Sequence, residues 1–168
     1  MTGRVPVPVL AGALALCLAL FALLAAPGLA FSSDDQLRMV APVELERVEG
    51  EVVVRWKVSD EVARLVGERR AFFAVFVDRA PIAPGESLAS LADDGCRRAP
   101  ACPDRAWLAE RNVHVSLVSA VRLPVLPARG WGRGGTGHEA TVVLMRSDGV
   151  RRGEAADSVR FLVEEDGR

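Results

Sequence analysis

The chain has no tyrosine, one lysine, two histidines and three cysteines among its 168 residues. Each shortage closes off some chemistry. Aromatic residues make up 5% of the chain, and Trp56 and Trp107 are wanted for packing, so a platform for stacking sugars is poorly supplied. Lys57 is the sole lysine, which leaves 20 of the 21 basic side chains as arginine. The codon bias of GC-rich bacteria accounts for this more simply than twenty separate bidentate contacts would. Arg4 is the one charged residue before Phe31, so the rest of the chain holds 20 basic against 22 acidic side chains. That balance is no electrostatic footprint for nucleic acid or for an anionic membrane.

The familiar site motifs are missing as well. No G-x-S-x-G elbow is present to expose a catalytic serine. The glycine-rich stretch "ARGWGRGGTGHE" lacks the lysine of a phosphate-binding loop and leads into a strand, so it reads as a connection. Trp131 within it either folds back onto the domain or offers an exposed contact for a partner or glycan. The pairs Asp34-Asp35 and Asp93-Asp94 do not fall in EF-hand spacing and read as solvated loop ends. Met39 and Met145 are far apart and without local histidine spacing, which disfavours a copper site. His114 reads as an exposed or edge residue opposite the apolar face of a strand, and His138 as a polar residue opening another. No catalytic residue, metal or cofactor is expected.

What the chain does have is a long apolar opening. "VLAGALALCLALFALLAA", Val9 to Ala26, runs 18 residues without a charge, a helix of about 27 Å and close to bilayer thickness. Pro27 and Gly28 then break it, and Gly28-Leu29-Ala30 places small residues for cleavage after Ala30. Cys17 follows a leucine inside the run and reads as one more small apolar residue. The first 30 residues are therefore either a signal peptide or a retained anchor, with residues 5–29 in the membrane in the second case. Both readings put the remainder outside the cytoplasm, at the cell membrane or secreted.

The remainder is mainly of period two. In "EVVVRWKV", Val52, Val54, Trp56 and Val58 share one face while Glu51, Arg55 and Lys57 share the other. "AFFAVFVD" is apolar on both faces, as an interior strand would be. "NVHVSLVSAV" alternates over Asn112–Val121, "EATVVLMR" runs into a turn at Ser147-Asp148-Gly149, and "SVRFLVEE" closes the set. "PVELERV" supplies a first strand. Short strands without alternating long helices predict an all-β, antiparallel sandwich over 40–164. A linker over 31–39 precedes it and a tail over 165–168 follows.

One insertion, 79–111, interrupts the strands. Ser87 caps a short helix before Leu88 and Leu91, and Pro103 and Asp104 open another that carries Trp107 and Leu108. Cys96 and Cys102 lie between the two helices. Zinc would need about four ligands, and a redox pair would more usually be C-x-x-C in a thioredoxin-like setting. In an oxidising compartment two nearby loop cysteines pair, so a structural Cys96–Cys102 disulfide is expected.

"VVVRWKV" resembles the second strand of fibronectin type III domains, where a buried Trp follows a Val by two positions, here Val54 and Trp56. "FFAVFVDR" looks like their third strand, and "HEATVVLMRSDGVRRGEAADSVRFLV" is similar to their last two. The resemblance covers about half of the exported part. It lacks the tyrosine corner, and the insertion replaces a short connection. It implies an immunoglobulin-like fold and carries no functional residues across. The function expected is that of a non-enzymatic extracytoplasmic interaction module for an unidentified protein partner, of the kind an accessory subunit of an envelope complex presents. A carrier of a small ligand or metal on the same scaffold is the alternative.

Overall fold

The computed structural model describes residues 36–124, 126 and 136–164. The apolar opening, Trp131 and the tail lie outside these. No helix among the described residues is long and apolar enough to cross a membrane.

Among the described residues, eight strands form two sheets. Strands β1 (Leu37–Ala41), β3 (Val53–Val58) and β6 (Ala120–Arg122) make a three-stranded antiparallel sheet in the order β1-β3-β6. The other sheet has five strands: β2 (Glu46–Glu49), β8 (Arg151–Glu164), β7 (Gly137–Arg146), β4 (Ala71–Val77) and β5 (Val113–Ser116), in that order. Val54 and Trp56 of the first sheet share a core with Phe73, Val75, Val142, Leu144, Val159 and Phe161 of the second. Trp56 meets Phe73 edge-on at 5.1 Å between ring centroids, a favoured aromatic geometry.

The expected all-antiparallel immunoglobulin-like sandwich is not what forms. Strand β2 runs parallel to β8, with Glu46 opposite Phe161 and Glu49 opposite Glu164, so the larger sheet is mixed. The cause lies in Pro42–Val48, read as a first strand, whose opening residues form a turn instead. Met39 pairs with Trp56 in the small sheet, and the chain then turns at Val43–Glu46, where Leu45 takes φ 62°. It emerges beside β8, where Leu45 N–H donates to the Arg160 carbonyl at 2.6 Å. Strand β1 also begins at Leu37, inside the stretch read as linker; Leu37 is 2% exposed and pairs with Val58.

A second departure is helix α1 (Asp60–Gly67) between β3 and β4. The Ser59 hydroxyl accepts from Val62 N–H at 3.4 Å, Asp60 and Glu61 occupy the first turn, and Val62, Leu65 and Val66 are buried. Cap, acidic first turn and apolar spacing all specify a helix.

The third departure divides the Asn112–Val121 strand. Residues 113–116 belong to the large sheet and 120–122 to the small one. The Ser116 hydroxyl lies 2.8 Å from the carbonyls of Val118 and Ala120 and accepts from Val118 N–H at 3.1 Å. That local set of bonds turns the chain out of one sheet and into the other.

The insertion covers the outer face of the large sheet. Ile82, Leu88 and Leu108 pack on Ala74, Phe76, Val113, Val143 and Met145. Strand β4 thus has both faces covered, which is why it is apolar throughout. Besides the short turn of helix at Leu88–Leu91, the insertion contains α2 (Asp94–Arg98) and α3 (Arg105–Glu110).

Candidate functional site

Cys96 and Cys102 are joined, with Cα atoms 5.3 Å apart. Asp93 caps α2 by accepting from Cys96 N–H at 2.8 Å, and its other oxygen accepts from Arg111 at 2.8 Å. The Cys96 N–H, and after it Arg111, hold the Asp93 carboxyl below its ordinary pKa. Arg111 lies over the Trp107 ring at 3.6 Å, a cation–π arrangement. Asp104 caps α3 through Trp107 N–H at 2.8 Å. Disulfide, caps and the Asp93–Arg111–Trp107 cluster together fix the outer wall of the insertion.

Its inner end is stitched to β8. Arg151 N–H donates to the Glu86 carbonyl at 2.7 Å, and the Arg151 carbonyl accepts from Gly85 N–H at 3.1 Å. The Arg151 side chain, itself buried, donates to the Ile82 carbonyl at 2.6 Å. Burial pushes its pKa down, with Glu154 opposing. Leu88 N–H reaches the Gly149 carbonyl at 2.9 Å, which holds the Ser147–Gly149 turn against the insertion.

Between these anchors lies a groove of about 470 Å³. Phe72, Leu88, Leu108 and Val115 give it an apolar lining. Arg105, Leu117 and Asp148 also line it. Asp148 is paired with Arg146 at 2.5 Å, whereas no ion pair or hydrogen bond of the Arg105 side chain is found among the described residues. Leu117 is 52% exposed and its neighbour Val118 65%. Both sit at the corner where the chain passes from β5 to β6.

His138 opens β7 and His114 lies on the edge strand β5, as read from the sequence, but both side chains are buried rather than exposed. His114 is 8% exposed. It stands opposite Val75 on the face of β5 turned to the other sheet, its Nε2 has no partner, and burial pushes its pKa down. The insertion takes Val113 and Val115 on the opposite face, so alternation within β5 does not separate core from solvent. His138 is 1% exposed. Its Nδ1 lies 2.7 Å from Asp78 Oδ2, its ring is 5.8 Å from that of Phe161, and its Nε2 is enclosed without a partner. Asp78 Oδ1 also accepts from Glu139 N–H at 2.9 Å. No three His, Cys, Asp or Glu side chains gather as metal ligands among the described residues. Of the residues singled out in the sequence, Cys96 and Cys102 belong to the wall beside the groove; Trp131 lies outside the described residues. The groove residues themselves were not anticipated, although two adjacent apolar residues in "SLVS" are a signal of a surface contact.

No protein-family model and no curated protein sequence matches the chain. Among solved structures, the endo-beta-1,4-mannanase from Thermotoga petrophila is similar over 79% of this chain, with 13% identity and a TM-score of 0.35. The match covers 20% of that chain, so this chain spans about a fifth of the mannanase's length. A similarity that slight carries neither fold nor function across.

Proposed function

We propose that this chain is a non-enzymatic interaction domain displayed outside the cytoplasm, released or held at the membrane by its apolar opening. Its contact for a protein partner is the groove between the insertion and the large sheet. The observation that carries the reading is the apolar groove with Leu117 and Val118 exposed beside it. Contiguous exposed apolar surface on a soluble domain marks interaction sites. The Cys96–Cys102 disulfide supports an oxidising compartment. Against catalysis, the imidazole of the His138–Asp78 pair is sealed in the core, and the acid lining the groove is already engaged by Arg146.

A photoreactive amino acid at Leu117, introduced in living cells, should give one discrete protein adduct. The same group at exposed Arg55, on β3, should give none. Equal labelling from both positions, or no adduct from Leu117, would sink the reading. A small molecule or metal co-purifying in stoichiometric amount, without any adduct, would favour the carrier instead; the volume of the groove is within the range of small-molecule sites, about 300–1,000 Å³.

A further inference from the structure

We infer that the partner contributes an extended segment that adds to the free edge of β5, with an apolar side chain in the groove and a carboxylate at Arg105. The inference rests on the proposed interaction role and names the chemistry of the partner.

The ladder shows which backbone groups are available. Among the described residues, strand β5 is the last of its sheet and pairs only with β4. Val77 N–H donates to the Asn112 carbonyl at 2.9 Å, so residues 77 and 112 form a hydrogen-bonded pair. In an antiparallel ladder such pairs alternate with non-bonded ones. With Val75 opposite His114 and Phe73 opposite Ser116, the N–H and C=O groups of His114 and Ser116 point to β4. Those of Val113 and Val115 point away from the sheet, as does the Leu117 N–H, which lies trans to the Ser116 carbonyl. Val113 is fully buried, next to the end of α3, whereas Val115 is half-buried and Leu117 exposed. Among the described residues, Val115 with both backbone groups and Leu117 with its N–H therefore present an unguarded edge, and both also line the groove.

An unpaired edge recruits polypeptide. A strand added there places the residue opposite Val115 on the same face as Val115, over the apolar floor. A lipid could cover Leu117 and Val118 but could not satisfy the ladder. Charge selects among polypeptides. Asp148 is neutralised by Arg146, which leaves Arg105 as the uncompensated charge of the groove, and an Asp, Glu or terminal carboxylate complements it. The opposite edge of the sheet differs: β2 reads Glu46-Arg47-Val48-Glu49, and its three charged side chains are exposed. Charged edges of that kind resist added strands.

The test selects a random dodecapeptide display library against the full, oxidised chain. Recovered peptides should share an apolar residue flanked by Asp or Glu. They should slow amide exchange at Val115 and Leu117, and bind Arg105→Glu at least tenfold more weakly while Arg105→Lys retains most of the affinity. Peptides with no acidic preference, protection at other amides, or equal binding to Arg105→Glu would overturn the inference. So would failure to recover any peptide, or binding of phosphatidylcholine vesicles that depends on Leu117 and Val118. The two readings separate cleanly in cells. A Leu117 adduct that survives Arg105→Glu removes this inference and leaves the interaction role; loss of the adduct from the unaltered chain removes both.

Discussion

Among the described residues, three ring nitrogens are sealed in the core without a partner: Trp56 Nε1, His114 Nε2 and His138 Nε2. A buried polar group left unpaired costs about 1–3 kcal/mol, so these positions weaken the inter-sheet core even as their rings fill it. For His114 the cost depends on pH. Burial lowers its pKa in the folded chain, while in the unfolded chain an imidazole titrates near about 6.5. Below that value the unfolded state binds the proton and the folded state does not, so stability falls as pH drops. The fall ends once the folded state is protonated too. Urea unfolding between pH 7.5 and 5, settings chosen to span about 6.5, should show a midpoint that declines on acidification. His114→Gln, which cannot titrate, should flatten part of that slope. An identical slope in the variant would show that the ring is solvated in the folded protein. None of this was legible from alternation, because β5 is covered on one face by the insertion that precedes it and on the other by the small sheet.

Among the elements, the insertion illustrates how local chemistry and tertiary context divide the work. Its first and last helical turns and its disulfide were readable from Ser87, Pro103, Asp104 and the two cysteines, since caps and loop cysteines act over a few residues, whereas α2, which carries Cys96, was read as the connection between them. Its role was not, because covering Phe76, Val113 and Met145 requires knowing where the sheet lies. Helix α1 is the reverse case: Ser59, Asp60, Glu61 and the spacing of Val62, Leu65 and Val66 were all in view, yet the strand rhythm on either side passes over them. For the disulfide, Cys96→Ser with Cys102→Ser should leave the domain folded, because Asp93, Arg111 and Trp107 still hold the base of the ring. The loss should be at most about 2 kcal/mol on the chain-entropy estimate for so short a loop. Amide exchange should quicken over residues 94–104 and nowhere in β7. Global unfolding of the double variant would show that the sheet depends on the ring, and two titrating thiols in the unaltered protein would remove the bond itself.

For the whole molecule, what the sequence could not show was partnership. Period two identifies strands and their faces, yet it is silent on which strands pair and in which direction, and the mixed sheet follows from one crossing. Glu44 secures that crossing: it accepts from Arg160 N–H at 3.0 Å and from its Nε at 2.7 Å. Those bonds, the backbone N–H first, pull the Glu44 carboxyl below its ordinary pKa. The Arg160 carbonyl meanwhile accepts from Leu45 N–H, so a single residue of β8 grips both central residues of the turn. The four residues of β2 then lie along 161–164 in the same direction. Glu44→Ala should release this edge and little else. Exchange of the β2 amides should accelerate while β4 and β7 keep their protection, and the unfolding midpoint should hardly move, as for most exposed ion pairs. The direction of the pairing is open to a separate measurement in the unaltered chain. Nuclear Overhauser contacts should join Glu49 to Glu164 and Val48 to Val163. Contacts from Glu46 to Glu164 would mean that β2 runs antiparallel and that the crossing has been misread, whatever the exchange data show.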